Sequence, residues 1–265
     1  MNPVPAVTEI AHKICVRLES EKQSLKSSWA QSSPVQHFVV DNLLPADWVR
    51  GTHRGFPEWS RLNRYDSIRE RKSSSADMDS WGEMTRNCFL ALQYPDVLKI
   101  MSEITGIQQL EGDVSAYAGG VSAMREGDFL NPHLDNSTHP KIQGYRRLNA
   151  LFYVTPDWSR DDGGNLELWA KKLQDRTEVA SVFNRLVVMN TNRQSLHSVN
   201  RVVAQGKVRT CVSNYYFTKA SPHGYHYHHI TSFRGRPNEP LKDLYLQLEA
   251  KVGSLIQTIK GKPIK

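Results

Sequence analysis

Between Asp113 and Phe217 the chain breaks into short extended runs separated by turn residues, and this spacing constrains the fold more than any other feature. The runs fall at Asp113 to Tyr117, Val121 to Arg125, Pro132 to Asp135, Leu148 to Val154, Asn165 to Trp169, Leu186 to Asn190 and Val208 to Phe217. Gly, Pro, Asn and Asp punctuate them, which is the pattern of strands and not of helices. Seven or more such strands predict a mainly β domain with flanking helices, a sandwich or jelly roll. Within Leu148 to Val154, alternation puts Asn149, Leu151 and Tyr153 on one face and Leu148, Ala150, Phe152 and Val154 on the other. One face then packs on a helix while the other looks into the interior.

The third run carries chemistry. In Asn131-Pro132-His133-Leu134-Asp135-Asn136 an imidazole and a carboxylate stand two residues apart, so an extended backbone points both to one side. They make two-thirds of a facial His/His/carboxylate iron site, whose remaining positions stay open for reaction. The best candidate for the second histidine this requires is His197, which follows the apolar run Leu186-Val187-Val188-Met189. Further on, Arg209, Ser213 and Tyr215 share one face of the last run. An arginine facing an enclosed cavity needs an anion to pair with.

From Asn131 to Phe217 the order of these words resembles the prolyl-4-hydroxylase-like branch of the Fe(II)/2-oxoglutarate-dependent oxygenases. That family follows its H-x-D strand with a strand ending in tyrosine, an aspartate-tryptophan turn, a Gly-Gly hairpin, a distal histidine and an arginine strand. The matching residues here are Leu151-Phe152-Tyr153-Val154, Asp157-Trp158, Gly163-Gly164-Asn165-Leu166-Glu167-Leu168-Trp169, His197 and Arg209. The resemblance implies a double-stranded β-helix, with Fe(II) on His133, Asp135 and His197. It implies 2-oxoglutarate as cosubstrate, its distal carboxylate on Arg209 with a hydrogen bond from Tyr153, and dioxygen as oxidant with ascorbate as a reductant. Asn149 and Ser213, on the faces of Tyr153 and Arg209, are expected beside the cosubstrate. Arg146 and Arg147 are expected to grip the substrate; strict parity puts Arg147 on the face of Tyr153, and an irregular strand start would put Arg146 there. The sequence departs from the family at Met124, where a tyrosine is common, and in a longer loop, Asn200 to Gly206, before Arg209. Arg201 and Lys207 are nearby cations, but only Arg209 fits the strand pattern.

At 265 residues the chain suits a single oxygenase domain over residues 1–265. Its β core is expected over about 113–217, a helical and irregular region over 1–112 and a C-terminal helix over about 240–260. Val7, Ile10, Ala11, Ile14 and Leu18 predict an amphipathic helix, and the polar stretch Gln23 to Pro34 a linker. His37 to Pro45 predicts a strand turning at Asn42, with a short helix after it. Phe56 to Met84 shows no sustained period and suggests a lid or loop. Cys88 to Ile104 predicts helix broken at Pro95. Leu241, Leu244, Tyr245, Leu248, Val252, Leu255, Ile256 and Ile259 predict a helix packed on the sheet or serving as a homodimer face. Residues 260–265 are expected to fray.

Three scattered cysteines form no disulfide framework. The histidines at 223, 226, 228 and 229 lie among Gly, Pro and Tyr with no acidic ligand close, and read as loop packing. No spanning helix or signal peptide is expected, which implies a cytoplasmic protein. The net charge of +7 is dispersed and disfavours a nucleic-acid partner. A small-molecule or peptidyl substrate, hydroxylated at an unactivated C–H bond, is the expected partner. Two other classes compete: a non-enzymatic jelly-roll metal or ligand binder, which would not need the inward Arg209, and an oxygenase acting on nucleic acid.

Overall fold

Alternating strands supply two apolar faces, and the computed structural model covers one with helices and curls the other around a cavity. It describes residues 3–117, 119–139 and 143–259. Two helices open the chain, α1 (Val7–Ser20) and α2 (Lys22–Gln31), followed by strand β1 (His37–Asp41) and helix α3 (Ala46–Arg54). The hairpin β2 (Asn63–Asp66) and β3 (Glu70–Ser75) precedes helices α4 (Glu83–Ala91) and α5 (Pro95–Thr105). The central strands are β4 (Glu111–Gly112), β5 (Gly120–Arg125), β6 (Phe129–Leu134), β7 (Thr138–His139) and β8 (Gly144–Tyr153). They continue with β9 (Leu166–Trp169), β10 (Arg176–Val179), β11 (Arg185–Asn190), β12 (Leu196–Val199) and β13 (Val208–Thr218). The short β14 (Ser232–Phe233) and helix α6 (Pro240–Ile259) end the described chain.

The main path through the sheet runs β1-β11-β8-β13-β5-β3-β6-β12-β9-β10. Among the described residues the strand pairs are antiparallel. The curl is made by β3, whose Ser73–Ser75 end pairs β5 while Glu70 and Arg71 pair β6. This is the curled, mainly β architecture with flanking helices that the strand pattern predicts. On its outer face Phe38, Leu148, Ala150, Phe152, Leu186, Val188 and Val212 meet Ile10, Ile14 and Leu18 of α1 and the other helices in one core. Each such side chain contributes about 1.5–3 kcal/mol on burial. Two polar links pin the helices to β13: Tyr216 donates to the Leu92 carbonyl at 2.8 Å, and Gln93 to Asn214 Oδ1 at 2.8 Å. Inside, Tyr153, Leu166, Leu168, Val187, Met189 and Cys211 close one end of the barrel. The other end stays open.

Four expectations are corrected. Asp113 to Tyr117 is a turn, because the Asp113 carboxylate accepts from the Ser115 and Tyr117 amides and Ala116 adopts a positive φ of 51°. Gln23 to Pro34 is mostly helical: Leu25 and Trp29 of α2, one turn apart, are both buried, and that apolar pair outweighs the serines. The stretch expected to lack structure contains β2, β3 and the start of α4. The helix at the C-terminus forms, yet Leu241, Leu244, Tyr245, Leu248 and Val252 are exposed. Its inward contact is made by Leu246, while Asp243 pairs with Arg234 and Glu249 with Arg69. Side chains beyond Val252, including Leu255, Ile256 and Ile259, and residues 260–265 lie outside those described. No helix among the described residues is long and apolar enough to cross a membrane.

Candidate functional site

Strand register builds the site. β12 lies against β6 with His197 directly opposite His133, so the two rings stand side by side, their centroids 4.1 Å apart. Each ring is held from behind in the same way. His133 Nδ1 meets the Asn131 carbonyl at 3.0 Å and His197 Nδ1 the Ser195 carbonyl at 2.9 Å, which fixes Nδ1 as the protonated nitrogen and leaves Nε2 with its lone pair forward. Asp135, just past the end of β6, sets its carboxylate 3.6 Å from His133 Nε2 and 3.7 Å from His197 Nε2. The ligand-capable atoms of the three residues lie within 4.8 Å of one another, and no other such group is found among the described residues.

The electrostatics keep this donor set ready for a cation. Burial alone would raise the Asp135 carboxyl, but the Arg146 guanidinium, 3.2 Å from Oδ2, and the two histidines hold it well below the usual carboxylate range. Burial and the neighbouring His133 push His197 down to about 4. A neutral His197 imidazole and an ionised Asp135 carboxylate are the deprotonated forms a metal requires. Beyond its ion pair with Arg146, the buried Asp135 Oδ2 has no hydrogen-bond partner. The set fits a divalent metal of intermediate softness with open positions, as in facial iron sites.

These residues open into a cavity of about 870 Å³, within the size range of small-molecule sites. Arg209, Cys211, Ser213 and Tyr215 line it from β13, and Asn149 and Leu151 from β8. Arg209 is buried, and among the described residues no carboxylate is paired with it; its Nη1 meets the Met124 sulfur at 3.3 Å, and its Nε has no partner. The guanidinium lies 4.8 Å above the Tyr153 ring, and the Tyr153 hydroxyl and Asn149 Oδ1 are likewise buried without partners. A buried cation and nearby orphaned polar atoms are costly unless a ligand completes them, so this end fits a carboxylate. Gly164 makes room for the arginine: with φ +67°, a Cβ there would come within 2.6 Å of Arg209 Cδ. The two rival cations are engaged elsewhere, Lys207 with Asp162 at 3.0 Å and Arg201 with the Gly127 carbonyl at 2.6 Å.

Of the two adjacent arginines, Arg146 lines the cavity and Arg147 does not. The register of β8 on β13 slips between Tyr216 and Phe217, so that Leu148 faces Tyr216 and Arg146 faces Phe217. Arg147 is the extra residue of this bulge, which reverses the parity of what precedes it. Arg146 therefore enters the cavity, buried between Asp135 and the Tyr215 ring at 4.1 Å, while Arg147 reaches Thr218 instead. Sequence reasoning missed the cavity roof. His228, Ile230, Thr231 and Phe233 line it, from a segment tied down by the Ser137 and Asn136 amides donating to the His229 carbonyl and Thr231 Oγ1. Glu70, Lys72 and Ser74 of β3 form the facing wall. Within the histidine cluster, His226 meets the Tyr145 hydroxyl at 2.8 Å, while His228, which lines the cavity, meets Thr138 at 3.1 Å.

Comparison with known proteins converges on the same segment. Residues 119–217 match the 2OG-Fe(II) oxygenase superfamily. A curated relative, prolyl 3-hydroxylase OGFOD1 of Mus musculus, is 25% identical over 69% of this chain and 33% of its own length. OGFOD1 of Xenopus laevis is 31% identical over 46% of this chain and 23% of its own. The chain thus spans a third or less of the length of these relatives. In fold it is similar to a prolyl-4-hydroxylase of Pseudomonas putida, with TM-score 0.53 and 18% identity over 73% of this chain and 98% of that one.

Proposed function

We propose that this chain, whose residues 119–217 match the 2OG-Fe(II) oxygenase superfamily, is an Fe(II)- and 2-oxoglutarate-dependent dioxygenase that hydroxylates a prolyl residue of a peptide. One observation carries the reading: the cavity that holds the convergent His133, Asp135 and His197 also holds the buried, carboxylate-free guanidinium of Arg209. A jelly roll that only bound metal or sugar would have no use for that cation. Such a buried charge persists because a ligand pairs it.

His133, Asp135 and His197 would hold the iron, and Arg209 the distal carboxylate of 2-oxoglutarate with a hydrogen bond donated by the Tyr153 hydroxyl. Asn149 of β8 and Ser213 of β13 line the same cavity and would flank that carboxylate. When bound, iron, 2-oxoglutarate and dioxygen together supply the oxidant for an unactivated C–H bond, with succinate and carbon dioxide as coproducts. The chain's own residues do the positioning. Arg146 holds the Asp135 carboxylate in place at 3.2 Å, and its unpartnered Nε offers a donor to the substrate. The apolar side chains of Leu130, Val199, Ile230 and Phe233 line the cavity and help exclude water from it.

The prolyl assignment is supported by the names of the curated relatives, both prolyl 3-hydroxylases. The cavity supports it by being large enough for a cosubstrate and a substrate side chain together. The test is turnover of a library of proline-containing peptides with Fe(II), 2-oxoglutarate and ascorbate, followed by succinate assay and mass spectrometry. Peptide-dependent succinate and a product heavier by one oxygen on proline are expected. Succinate release driven by free amino acids or nucleic acid would overturn the peptidyl assignment.

A further inference from the structure

His133 has a neighbour that the ligand spacing does not reveal. β12 covers one edge of β6 and places His197 opposite His133; β14 covers the other and places Phe233 opposite the same residue. Cross-strand partners share a face, so Phe233, His133 and His197 stand as three rings in a row. The Phe233 and His133 rings are stacked, 5.2 Å between centroids and 20° between planes. Phe233 also lines the cavity.

The bond from His133 Nδ1 to the Asn131 carbonyl decides which nitrogen faces the cavity. It does not fix the tilt of the ring, because the imidazole can still rock about that bond. A near-parallel aromatic face against the imidazole removes this freedom. The segment carrying Phe233 is itself strongly anchored. The Arg234 amide donates to the Pro132 carbonyl at 2.7 Å, and its guanidinium binds Asp243 through two bonds of 2.6 and 2.8 Å. Arg236 reaches across to the buried Glu167 of β9 at 2.6 Å and to the Val199 carbonyl of β12 at 3.0 Å. Gly235 lets the segment pass, since a Cβ there would lie 2.5 Å from the Asp243 amide nitrogen. The segment thus ties the strand of one ligand histidine to the strand of the other.

We infer that Phe233 is a positioning residue for the metal centre: its ring holds the imidazole plane of His133 toward the carboxylate of Asp135 and closes that side of the site to water. This rests on His133 being a metal ligand. The test is anaerobic Co(II) titration of the full chain without cosubstrate, with thermal melting recorded in parallel. Phe233→Leu keeps an apolar side chain on β14 and removes the aromatic face; Phe233→Tyr keeps the face. Co(II) is expected to bind Phe233→Leu about tenfold more weakly than wild type, the scale of losing a group that orients a ligand, and to bind Phe233→Tyr within about twofold. Should Phe233→Leu fail to fold, Phe233→Met makes the same comparison. Unchanged Co(II) affinity in the ringless variant, or equal weakening with and without the ring, overturns the inference. His133→Ala separates the two claims: if it abolishes Co(II) binding while Phe233→Leu binds like wild type, only the role of Phe233 fails; if His133→Ala binds normally, the ligand assignment fails.

Discussion

His133 and His197 lie far apart in sequence, yet two paired strands bring their rings within 4.1 Å and aim both at one carboxylate. His223, His226, His228 and His229 crowd into one short segment and spread over different neighbours: the Tyr225 ring, the Tyr145 hydroxyl, Thr138 and the Tyr227 ring. The difference lies in the backbone. A sheet repeats its geometry, so register fixes where each imidazole points and a carbonyl two residues back fixes its tautomer. A loop of Gly, Pro and Tyr offers no such repetition, and among the described residues the dense cluster of histidines there forms no metal-ligand group. Local density of histidine is a poor guide to a metal site; shared register with an acid is a better one.

The largest effect that would sharpen this contrast is on metal binding itself. His133→Ala or His197→Ala should cost at least about 100-fold in divalent-metal affinity, since a three-ligand site loses a third of its donors, whereas His223→Ala and His226→Ala should leave it unchanged in calorimetric titrations. Next is Arg209→Ala. Removing one partner of a buried pair costs about 3–5 kcal/mol, so the constant for 2-oxoglutarate should rise by about two to four orders of magnitude, while Lys207→Ala moves it little. If Lys207→Ala has the larger effect, the inward face of β13 is misassigned. Arg146→Gln should come third: it frees Asp135 from its ion pair and should lower turnover by about 10- to 100-fold, and Arg147→Gln should not. The smallest effect is His226→Ala, which loses one half-exposed hydrogen bond to Tyr145 and should cost about 1 kcal/mol of stability or less by denaturant melting.

His133 and Asp135 of the proposed ligand set were readable because an extended H-x-D turns both side chains to one side, and the inward Arg209 because the alternation of β13 runs unbroken from Val208 to Tyr216. Arg146 was not decidable, since a bulge leaves no mark on the pattern of apolar residues. Phe233 lay beyond reach for a different reason: β14 is two residues long, too short to show a period, and its place is set by Arg234 and Arg236 binding distant acids. The strands of the β2–β3 hairpin escaped notice because β3, Glu-Arg-Lys-Ser-Ser-Ser, turns polar side chains to the cavity and has no apolar alternation to detect. For α6 the period was right and the burial wrong, because a helical stripe reveals an apolar face without revealing what covers it.

Anaerobic addition of Fe(II) and 2-oxoglutarate, read by visible absorption, tests the central claim most directly, because a keto acid chelated to iron on a facial site absorbs weakly there and neither component does alone. The band is expected in the wild-type chain and in His226→Ala, and its loss in His133→Ala and in His197→Ala. A band that survives both ligand substitutions, or one that disappears with His226→Ala, would contradict it.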